Sequence, residues 1–313
     1  MVEERKYLFG PVPSRRLGLS LGVDIVPFKV CSLDCLYCQL GRTTNKTVER
    51  KEYVPIEAVL AELKDRLNEP LQADFITLSG SGEPTLNSRF GELIDGIKKI
   101  TDIPVAILTN GTLLYRQDVR ADCAKADLVV PSLDAGDEET FRKINRPHRD
   151  ISIEKLVSGL CAFRKEFTGR IWLEVFLVEG LNTDADQIDK INRIIKRVGP
   201  DKVQLNTAVR PTAEADVKRV DDEKLRTIAA KLGENCGVVT DFSLSSRDER
   251  VEEPETKAED VLSMLKRRPC SLNDICSGLG LHRNEVLKYI GHFQRQGIID
   301  SEQKDGTTFF KAN

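Results

Sequence analysis

Three cysteines within eight residues constrain this chain more than any other feature of its sequence. Cys31, Cys35 and Cys38 follow the predicted strand Leu19–Val26, and their offsets of four and three residues place three sulfurs on one side of a tight loop. Three thiolates satisfy three irons of a [4Fe–4S] cube and leave the fourth iron open to an outside ligand, whereas structural clusters use four cysteines. An open coordination position is typical of a metal site that carries out chemistry. The alternatives are a zinc site that borrows a distant ligand and a loop of incidental cysteines.

The stretch from about Ser20 to Phe242 alternates short apolar runs with amphipathic segments of helical spacing. We predict strands at Leu19–Val26, Phe75–Ser79, Val105–Thr109, Leu128–Ser132, Ile171–Val178 and Val203–Asn206. Strands that alternate with helices of this length indicate βαβ units and a parallel sheet. The predicted fold class is therefore α/β. Six strands suit an open partial (β/α)6 barrel better than a closed eight-fold barrel, which typically needs about 250 residues.

The Cys-x3-Cys-x2-Cys pattern, with Tyr37 directly before the last cysteine, is similar to that of the radical SAM superfamily. The resemblance extends over about Leu17 to Phe242. It implies that the methionine part of S-adenosylmethionine (SAM) chelates the free iron. It implies further that one electron splits SAM into methionine and a 5′-deoxyadenosyl radical, which abstracts hydrogen from a substrate. Tyr37 is then expected beside the adenine.

A glycine-rich segment after the second predicted strand supports this resemblance. Ser79-Gly80-Ser81-Gly82-Glu83 resembles the Gly-Gly-Glu motif that holds the SAM amino group in the superfamily, although a serine stands directly before the last glycine. Glycines at a strand end let the backbone approach a ligand closely, and Glu83 offers a carboxylate to an ammonium. We therefore expect Ser79, Gly80, Gly82 and Glu83 to bind SAM, with a plain turn as the alternative.

Polar residues at the ends of the next two strands match further SAM contacts of the superfamily. The resemblance implies that Thr109 and Asn110 lie near the SAM carboxylate. It also implies that Ser132 contacts the ribose and that Arg146 binds the carboxylate. A helix-capping turn is the alternative for the first three residues, and a surface ion pair is the alternative for Arg146.

The last two predicted strands and the residues after them contain three more candidate site residues. Glu174 stands inside the apolar run Ile171–Val178, and charged residues are rarely buried unless they are paired or functional. We expect it to face the barrel interior and to contact SAM or substrate, with a solvent-facing position as the alternative. The resemblance implies that the backbone near Leu205 contacts the adenine. Arg210 follows the sixth strand, at the face where barrel folds bind ligands, and is a candidate contact to the substrate.

Two adjacent arginines, Arg15 and Arg16, stand in the N-terminal segment Gly10–Gly18. They are candidates for binding a substrate phosphate or carboxylate, and a rigid lead-in with surface charge is the alternative. The segment resembles one in radical SAM proteins grouped near the wyosine-base synthases. Those synthases carry a second cluster on cysteines upstream of the motif. No cysteine precedes Cys31 here, so we predict a single cluster.

The last part of the chain follows a different pattern. Residues 243–257 are polar, charged and include a proline, which indicates a linker after a first domain at residues 1–242. Residues 258–313 show three helical patterns and then a hairpin signal around Asp305-Gly306, the element order of a winged helix. Arg283 and Lys288 on its third helix, predicted at residues 282–296, are candidate contacts to a substrate that this module recruits from a hinge.

The sequence does not decide which kind of molecule this module binds. Its basic and acidic residues nearly balance, whereas a DNA-binding domain usually carries a clearer basic excess. The winged-helix fold also serves RNA, peptides and other proteins. Nucleic-acid binding, peptide or protein docking and a structural role are therefore all alternatives.

Composition narrows the class of protein. The formal charge of −3 provides no global basic field toward nucleic acid or membrane, and no apolar run approaches the roughly 20 residues of a membrane span. We expect a cytoplasmic protein, where a tight cysteine group indicates metal or redox chemistry. The predicted function is that of a radical SAM enzyme. It would take electrons from a low-potential donor of the flavodoxin or ferredoxin type and modify a tRNA or a peptide. The alternative is an iron–sulfur regulator that binds DNA through the winged helix.

Overall fold

The computed structural model describes residues 6–14, 16–68, 70–239, 254–281 and 283–313. The predicted anion-binding residue Arg15 and most of the predicted linker, residues 243–253, lie outside these ranges. None of the described helices is both long enough and apolar enough to cross a membrane.

The strands and helices alternate along the first 240 residues. The strands there are β1 (Leu8–Ser14), β2 (Gly18–Val23), β3 (Val30–Cys31), β4 (Asn45–Lys46), β5 (Phe75–Leu78), β6 (Val105–Thr109), β7 (Leu128–Pro131), β8 (Arg170–Leu177), β9 (Lys202–Thr207) and β10 (Cys236–Val238). The α-helices are α1 (Ile56–Leu67), α2 (Phe90–Ile100), α3 (Gln117–Cys123), α4 (Glu138–Asn145), α5 (Ile153–Glu166), α6 (Ala185–Val198) and α7 (Asp222–Leu232). A 3-10 turn, Pro84–Leu86, follows β5.

One open sheet of eight strands, in the order β1-β2-β5-β6-β7-β8-β9-β10, forms the body of the molecule. All neighbours from β2 to β10 are parallel, and only β1 pairs antiparallel, with β2. The α/β class and the six predicted strands are confirmed. A continuous apolar core lies between the sheet and the helices that cover it, since strands buried on both faces and helices with one apolar face have to pack against each other.

The sheet contains two strands that the sequence pattern does not indicate, β1 and β10. Strand β1 carries Pro11 and Pro13, which read as a break in a strand because proline cannot donate a ladder hydrogen bond. It lies at the edge of the sheet, where that loss is tolerated. Strand β10 spans only Cys236–Val238, too short for a periodic pattern.

The C-terminal part consists of α8 (Pro254–Arg267), β11 (Cys270–Ser271), α9 (Leu272–Leu279), α10 (Arg283–Arg295), β12 (Ile299–Lys304) and β13 (Thr307–Ala312). Its three strands form a separate sheet in the order β11-β13-β12, over a small apolar core of its own. Asp305 and Gly306 both have positive φ, as a two-residue hairpin turn requires. The order of helices and hairpin is the predicted one. Helix α8 begins at Pro254, inside the predicted linker, because proline suits the first position of a helix.

The C-terminal part packs directly on the barrel. Helices α8 and α9 contact β1, and Val12 of β1 joins the apolar core of the C-terminal part. Arg210, after β9, pairs with Asp274 of α9 through Nη2 and Oδ1 at 3.0 Å. Arg267 of α8 pairs with Asp24, which follows β2. The described residues of the C-terminal part are therefore docked against the barrel, and the predicted linker and hinge stay a prediction.

Candidate active site

The predicted site residues lie at one edge of the large sheet. The cysteine loop follows β2, and the other candidates follow or end β5, β6, β7, β8 and β9. Because the carboxyl ends of parallel strands meet at the same edge of a sheet, residues far apart in sequence converge there.

Each of the three cysteine sulfurs accepts a hydrogen bond from a nitrogen donor. Lys29 Nζ donates to Cys38 Sγ at 3.2 Å, and Asn145 Nδ2 donates to Cys35 Sγ at 3.4 Å. Asn110 Nδ2 donates to Cys31 Sγ at 3.5 Å. Hydrogen bonds to sulfur stabilise thiolate ligands and tune a cluster that they hold. This donor set fits the three-cysteine side of a [4Fe–4S] cluster.

The same sulfurs do not form a site for a single ion. Among the described residues, no three His, Cys, Asp or Glu side chains are arranged to hold one metal ion. In a [4Fe–4S] cubane each cysteine thiolate binds a different iron. The three cysteine sulfurs therefore need not converge on one point. All eight cysteines are free thiols, and burial, reinforced by the nearby Glu83 carboxylate, raises the pKa of Cys31 to about 12.

Glu83 joins the glycine-rich segment to the end of β6. Its Oε1 accepts hydrogen bonds from Thr109 Oγ1 at 2.6 Å and from both the Oγ1 and the backbone N of Thr85. Its Oε2 accepts one bond, at 2.8 Å, from the backbone N of Asn110. A carboxylate oxygen has two lone pairs, so Oε2 keeps one acceptor position. Burial raises the pKa of Glu83, and its hydrogen bonds oppose that rise.

The two glycines of the segment are required by close contacts. A Cβ on Gly82 would lie 2.0 Å from the carbonyl oxygen of Val30, and a Cβ on Gly80, whose φ is +134°, would lie 2.6 Å from the Asp24 carboxyl carbon. Two backbone bonds, Lys29 N to Ser81 O at 2.7 Å and Glu83 N to Val30 O at 3.0 Å, hold the glycine segment against the chain entering the cysteine loop.

Gly82→Ala is therefore expected to push the glycine segment away from the cysteine loop. The added methyl group meets backbone, which cannot swing aside as a side chain can, so we expect a loss of about 1–3 kcal/mol in the free energy of unfolding. Urea unfolding measures this loss. Gly237→Ala is the matched control, since nothing lies within 4 Å of a Cβ there and its stability should stay close to that of the parent. Equal stability of both variants would contradict this packing.

Tyr37 is fixed by a buried polar cluster. Its ring stacks on Phe176, with centroids 3.8 Å apart, and its hydroxyl donates to Asp134 Oδ2. Asn145 Nδ2 donates to the same Asp134 oxygen at 2.7 Å. Burial raises the pKa of Asp134 to about 6, against the effect of the Tyr37 and Asn145 hydrogen bonds. Asn145 also donates to Cys35, so this cluster links Tyr37 to the cysteine loop.

Glu174 pairs with Arg16, so two predicted site residues that are 158 positions apart in the chain meet. Arg16 Nη1 lies 2.6 Å from Glu174 Oε2, and Asn206 Nδ2 donates to Glu174 Oε1 at 2.9 Å. Both charged side chains are mostly buried, at 19% and 13% exposure. Ser132 forms a parallel bridge with Glu174. The solvent-facing alternative for Glu174 is wrong, because its carboxylate is paired inside the structure.

Three candidates have contacts different from the predicted ones. Arg146 Nη1 pairs with Glu214 Oε1 at 2.5 Å, the ion pair given as its alternative. The Leu205 carbonyl accepts the backbone N of Val239 within the sheet, and the adenine contact of this backbone stays a prediction. Arg210 is 3% exposed and paired with Asp274, which makes it a contact between the barrel and the C-terminal part. In contrast, Arg283 and Lys288 are exposed on α10, as a surface contact requires.

Four polar residues that organise this edge were not predicted from the sequence: Lys29, Asp24, Asp134 and Asn145. Asp24 and Asp134 follow the ends of β2 and β7, a position that signals a ligand-binding edge in parallel sheets. Lys29 has a positive φ of 62°, and no sequence pattern distinguishes it from a surface lysine. Asn145 ends α4 and gave no signal of its own.

Comparison with known proteins decides the family. A model of the radical SAM superfamily matches residues 25–191, which include the cysteine loop and the glycine-rich segment. The chain belongs to the radical SAM superfamily. Enzymes of this superfamily use a [4Fe–4S] cluster and SAM, and these are the cofactors of this radical SAM chain. A radical SAM methyltransferase structure from Sphaerobacter thermophilus shares the fold, with a TM-score of 0.53 and 18% identity over 70% of this chain and 65% of that one.

Similarity to two relatives extends beyond the residues that the superfamily model matches. The UPF0026 protein of Methanocaldococcus jannaschii is 35% identical over 97% of this radical SAM chain and 95% of its own length. A protein called GTPase Obg in Brachyspira hyodysenteriae is 39% identical over 98% of this chain. The chain spans 45% of that relative's length. Similarity to both relatives thus includes the C-terminal part as well as the barrel.

Proposed function

We propose that this radical SAM enzyme cleaves SAM reductively and uses the product radical to modify a macromolecular substrate, a tRNA or a peptide. The observation that carries the proposal is the cysteine loop, in which each of three sulfurs accepts a nitrogen donor, at the same sheet edge as Glu83. The family fixes the cofactors, and this geometry supports the assignment of residues to them.

Cys31, Cys35 and Cys38 would hold the cluster. The residues that would hold SAM are Tyr37, Ser79, Gly80, Gly82, Glu83, Thr109, Asn110 and Ser132. When bound, the cluster supplies one electron to SAM, which divides into methionine and a 5′-deoxyadenosyl radical able to take a hydrogen atom from a substrate carbon.

The role of the protein residues is to bind SAM and to orient it. Glu83 Oε2 has an acceptor position left for the SAM ammonium after its bond from Asn110. Asn110 also donates to the Cys31 sulfur, so one residue links the proposed ammonium site to a cluster ligand. The Glu174–Arg16 pair, held by Asn206, lies next to Ser132, which bridges to Glu174. We assign it to the orientation of SAM or substrate.

The C-terminal part would bind the substrate. Its order of helices and hairpin supports a winged helix, and its exposed Arg283 and Lys288 are the candidate surface contacts. It packs on β1, and its helix α8 shares a cavity with Gln39 and Leu40, which directly follow Cys38. It would therefore close one side of the substrate site as well as recruit the substrate. A low-potential donor of the flavodoxin or ferredoxin type in the cytoplasm would supply the electron.

SAM cleavage tests this function. The anaerobically reconstituted protein, reduced with dithionite, is expected to form 5′-deoxyadenosine and methionine slowly without substrate. Glu83→Gln places an amide at the ammonium site, and loss of a charge-assisted hydrogen bond should weaken SAM binding roughly 10- to 100-fold. Equilibrium titration with SAM measures the affinity.

The matched control is Glu92→Gln. Glu92 is an exposed carboxylate on α2 that pairs with Arg89, so SAM affinity should stay at the parent value. Unchanged affinity in Glu83→Gln would remove this carboxylate from the SAM site. Absence of 5′-deoxyadenosine from a fully loaded cluster would contradict the function itself.

A further inference from the structure

A cavity of about 220 Å³ lies where α8 packs against the barrel. The barrel contributes β1, the residues that directly follow Cys38, and the start of the glycine-rich segment. The lining residues are Phe9, Val12, Gln39, Leu40, Ser79, Gly80, Met264, Arg267 and Arg268. The cavity therefore borders two stretches of the cofactor site through Ser79, Gly80 and the residues after Cys38, whereas Arg267 and Arg268 have no assigned role there.

Three arginines and two carboxylates meet at this junction. Arg267 pairs with Asp24 and stacks on Phe9, with its guanidinium carbon 3.9 Å from the ring centroid. Arg210 pairs with Asp274 at 3.0 Å. Both carboxylates are thus used by arginines other than Arg268.

Among the described residues, Arg268 has no such close ion pair. Within the described part of the chain, no Asp or Glu oxygen lies within 4.0 Å of its guanidinium, although it lines the cavity. Burial, together with the nearby charge of Arg210, lowers its pKa. The Arg268 side chain is half-buried. A partly desolvated guanidinium without a paired anion is less favourable than a paired one, so an anion in the cavity would stabilise it.

The walls indicate which anion. Phe9, Val12, Leu40 and Met264 make much of the lining apolar. A hydrated phosphodiester would lose water against such walls, whereas a carboxylate on an aliphatic or aromatic body would place the apolar part against them. The volume is below the range of roughly 300–1,000 Å³ that holds a whole drug-sized ligand, so the cavity suits one end group of a larger molecule.

We propose that this cavity binds a carboxylate carried on an apolar body, an end group of a peptide substrate, with Arg268 as the bidentate donor. The inference rests on the proposed function in taking the barrel as the place where a substrate reacts. Ser79-Gly80 and Gln39-Leu40 connect the cavity to the glycine segment and the cysteine loop, so the carboxylate would anchor the substrate beside the cofactor site. Arg267, held by Asp24, positions α8 and does not itself bind the ligand.

The test is calorimetric titration of the full-length chain with 4-methylpentanoate, and in a parallel experiment with inorganic phosphate. The parent protein is expected to bind the carboxylate more tightly than phosphate. Arg268→Gln should weaken carboxylate binding roughly 10- to 100-fold. Arg268→Lys should recover part of it, because lysine keeps the charge but lacks the planar fork. Arg295→Gln, at an exposed arginine of α10 that has no assigned role, is the control and should bind like the parent.

Each result decides the proposal. Unchanged binding in Arg268→Gln, absence of carboxylate binding to the parent, or tighter binding of phosphate than of carboxylate overturns it, and the last result would favour a nucleic-acid substrate. The titration needs neither the cluster nor SAM. Loss of SAM cleavage in the parent therefore counts against the proposed function only, and loss of carboxylate binding counts against this inference only.

Discussion

Replacing Cys31, Cys35 or Cys38 singly with alanine is expected to abolish cluster assembly and, with it, SAM cleavage. The parent should hold about four irons and four sulfides per chain after anaerobic reconstitution, as one cubane implies. With only three protein thiolates available, loss of one leaves two irons without a protein ligand. Iron and sulfide analysis, together with the visible absorption of the cluster, measures the loss.

Cys123 and Cys161 provide the controls for this experiment. Cys123 is fully buried in α3 and belongs to the apolar core, and Cys161 packs against that core from α5. Neither has a place in the cysteine loop, so alanine at either position should leave the iron content unchanged. A loss of iron in either control would mean that the single-cluster assignment is incorrect.

Asp274→Asn is expected to destabilise the contact between the barrel and the C-terminal part strongly. Arg210 is 3% exposed, and the substitution leaves its guanidinium buried without a counter-charge. Breaking a buried ion pair from one side costs about 3–5 kcal/mol. Urea unfolding monitored by circular dichroism measures the change. Asp189→Asn, which breaks an exposed pair with Lys231, is the control and should unfold close to the parent.

A double variant separates charge from packing at this contact. Arg210→Leu combined with Asp274→Asn removes both charges, and replacing a whole buried pair by neutral groups is often close to neutral. We expect the double variant to be more stable than Asp274→Asn alone. If the single and the double variant are equally unstable, the pair contributes through packing and our electrostatic account fails.

The Arg210–Asp274 pair predicts that the free energy of unfolding depends on pH. Burial opposes ionisation of Asp274, but the charge and hydrogen bonds of Arg210 and the bonds from Ser271 outweigh it and lower the pKa below 3.8. Because the folded pKa is the lower one, the stabilisation is complete above pH about 4 and decreases as pH falls through the folded value. Asp274→Asn should therefore lose less stability than the parent on acidification through that range.

The sequence by itself was enough to predict the chemistry and the main sheet. The Cys-x3-Cys-x2-Cys spacing is local, so its meaning does not depend on the rest of the fold. The six predicted strands were equally accessible because they are buried on both faces and appear as continuous apolar runs bounded by turns. The Glu83 motif followed from its place after the second of these strands.

Only the tertiary structure decided which polar groups meet. Glu174 and Arg16 pair although they are 158 residues apart. Arg267 and Asp24 pair across 243 residues. Neither pairing leaves a periodic signal in the sequence. Arg210 looked like a ligand contact because it follows a strand end, yet that edge is where the C-terminal part docks and supplies Asp274. Local patterns record whether a residue is buried, but the partner of a buried charge depends on which elements pack together.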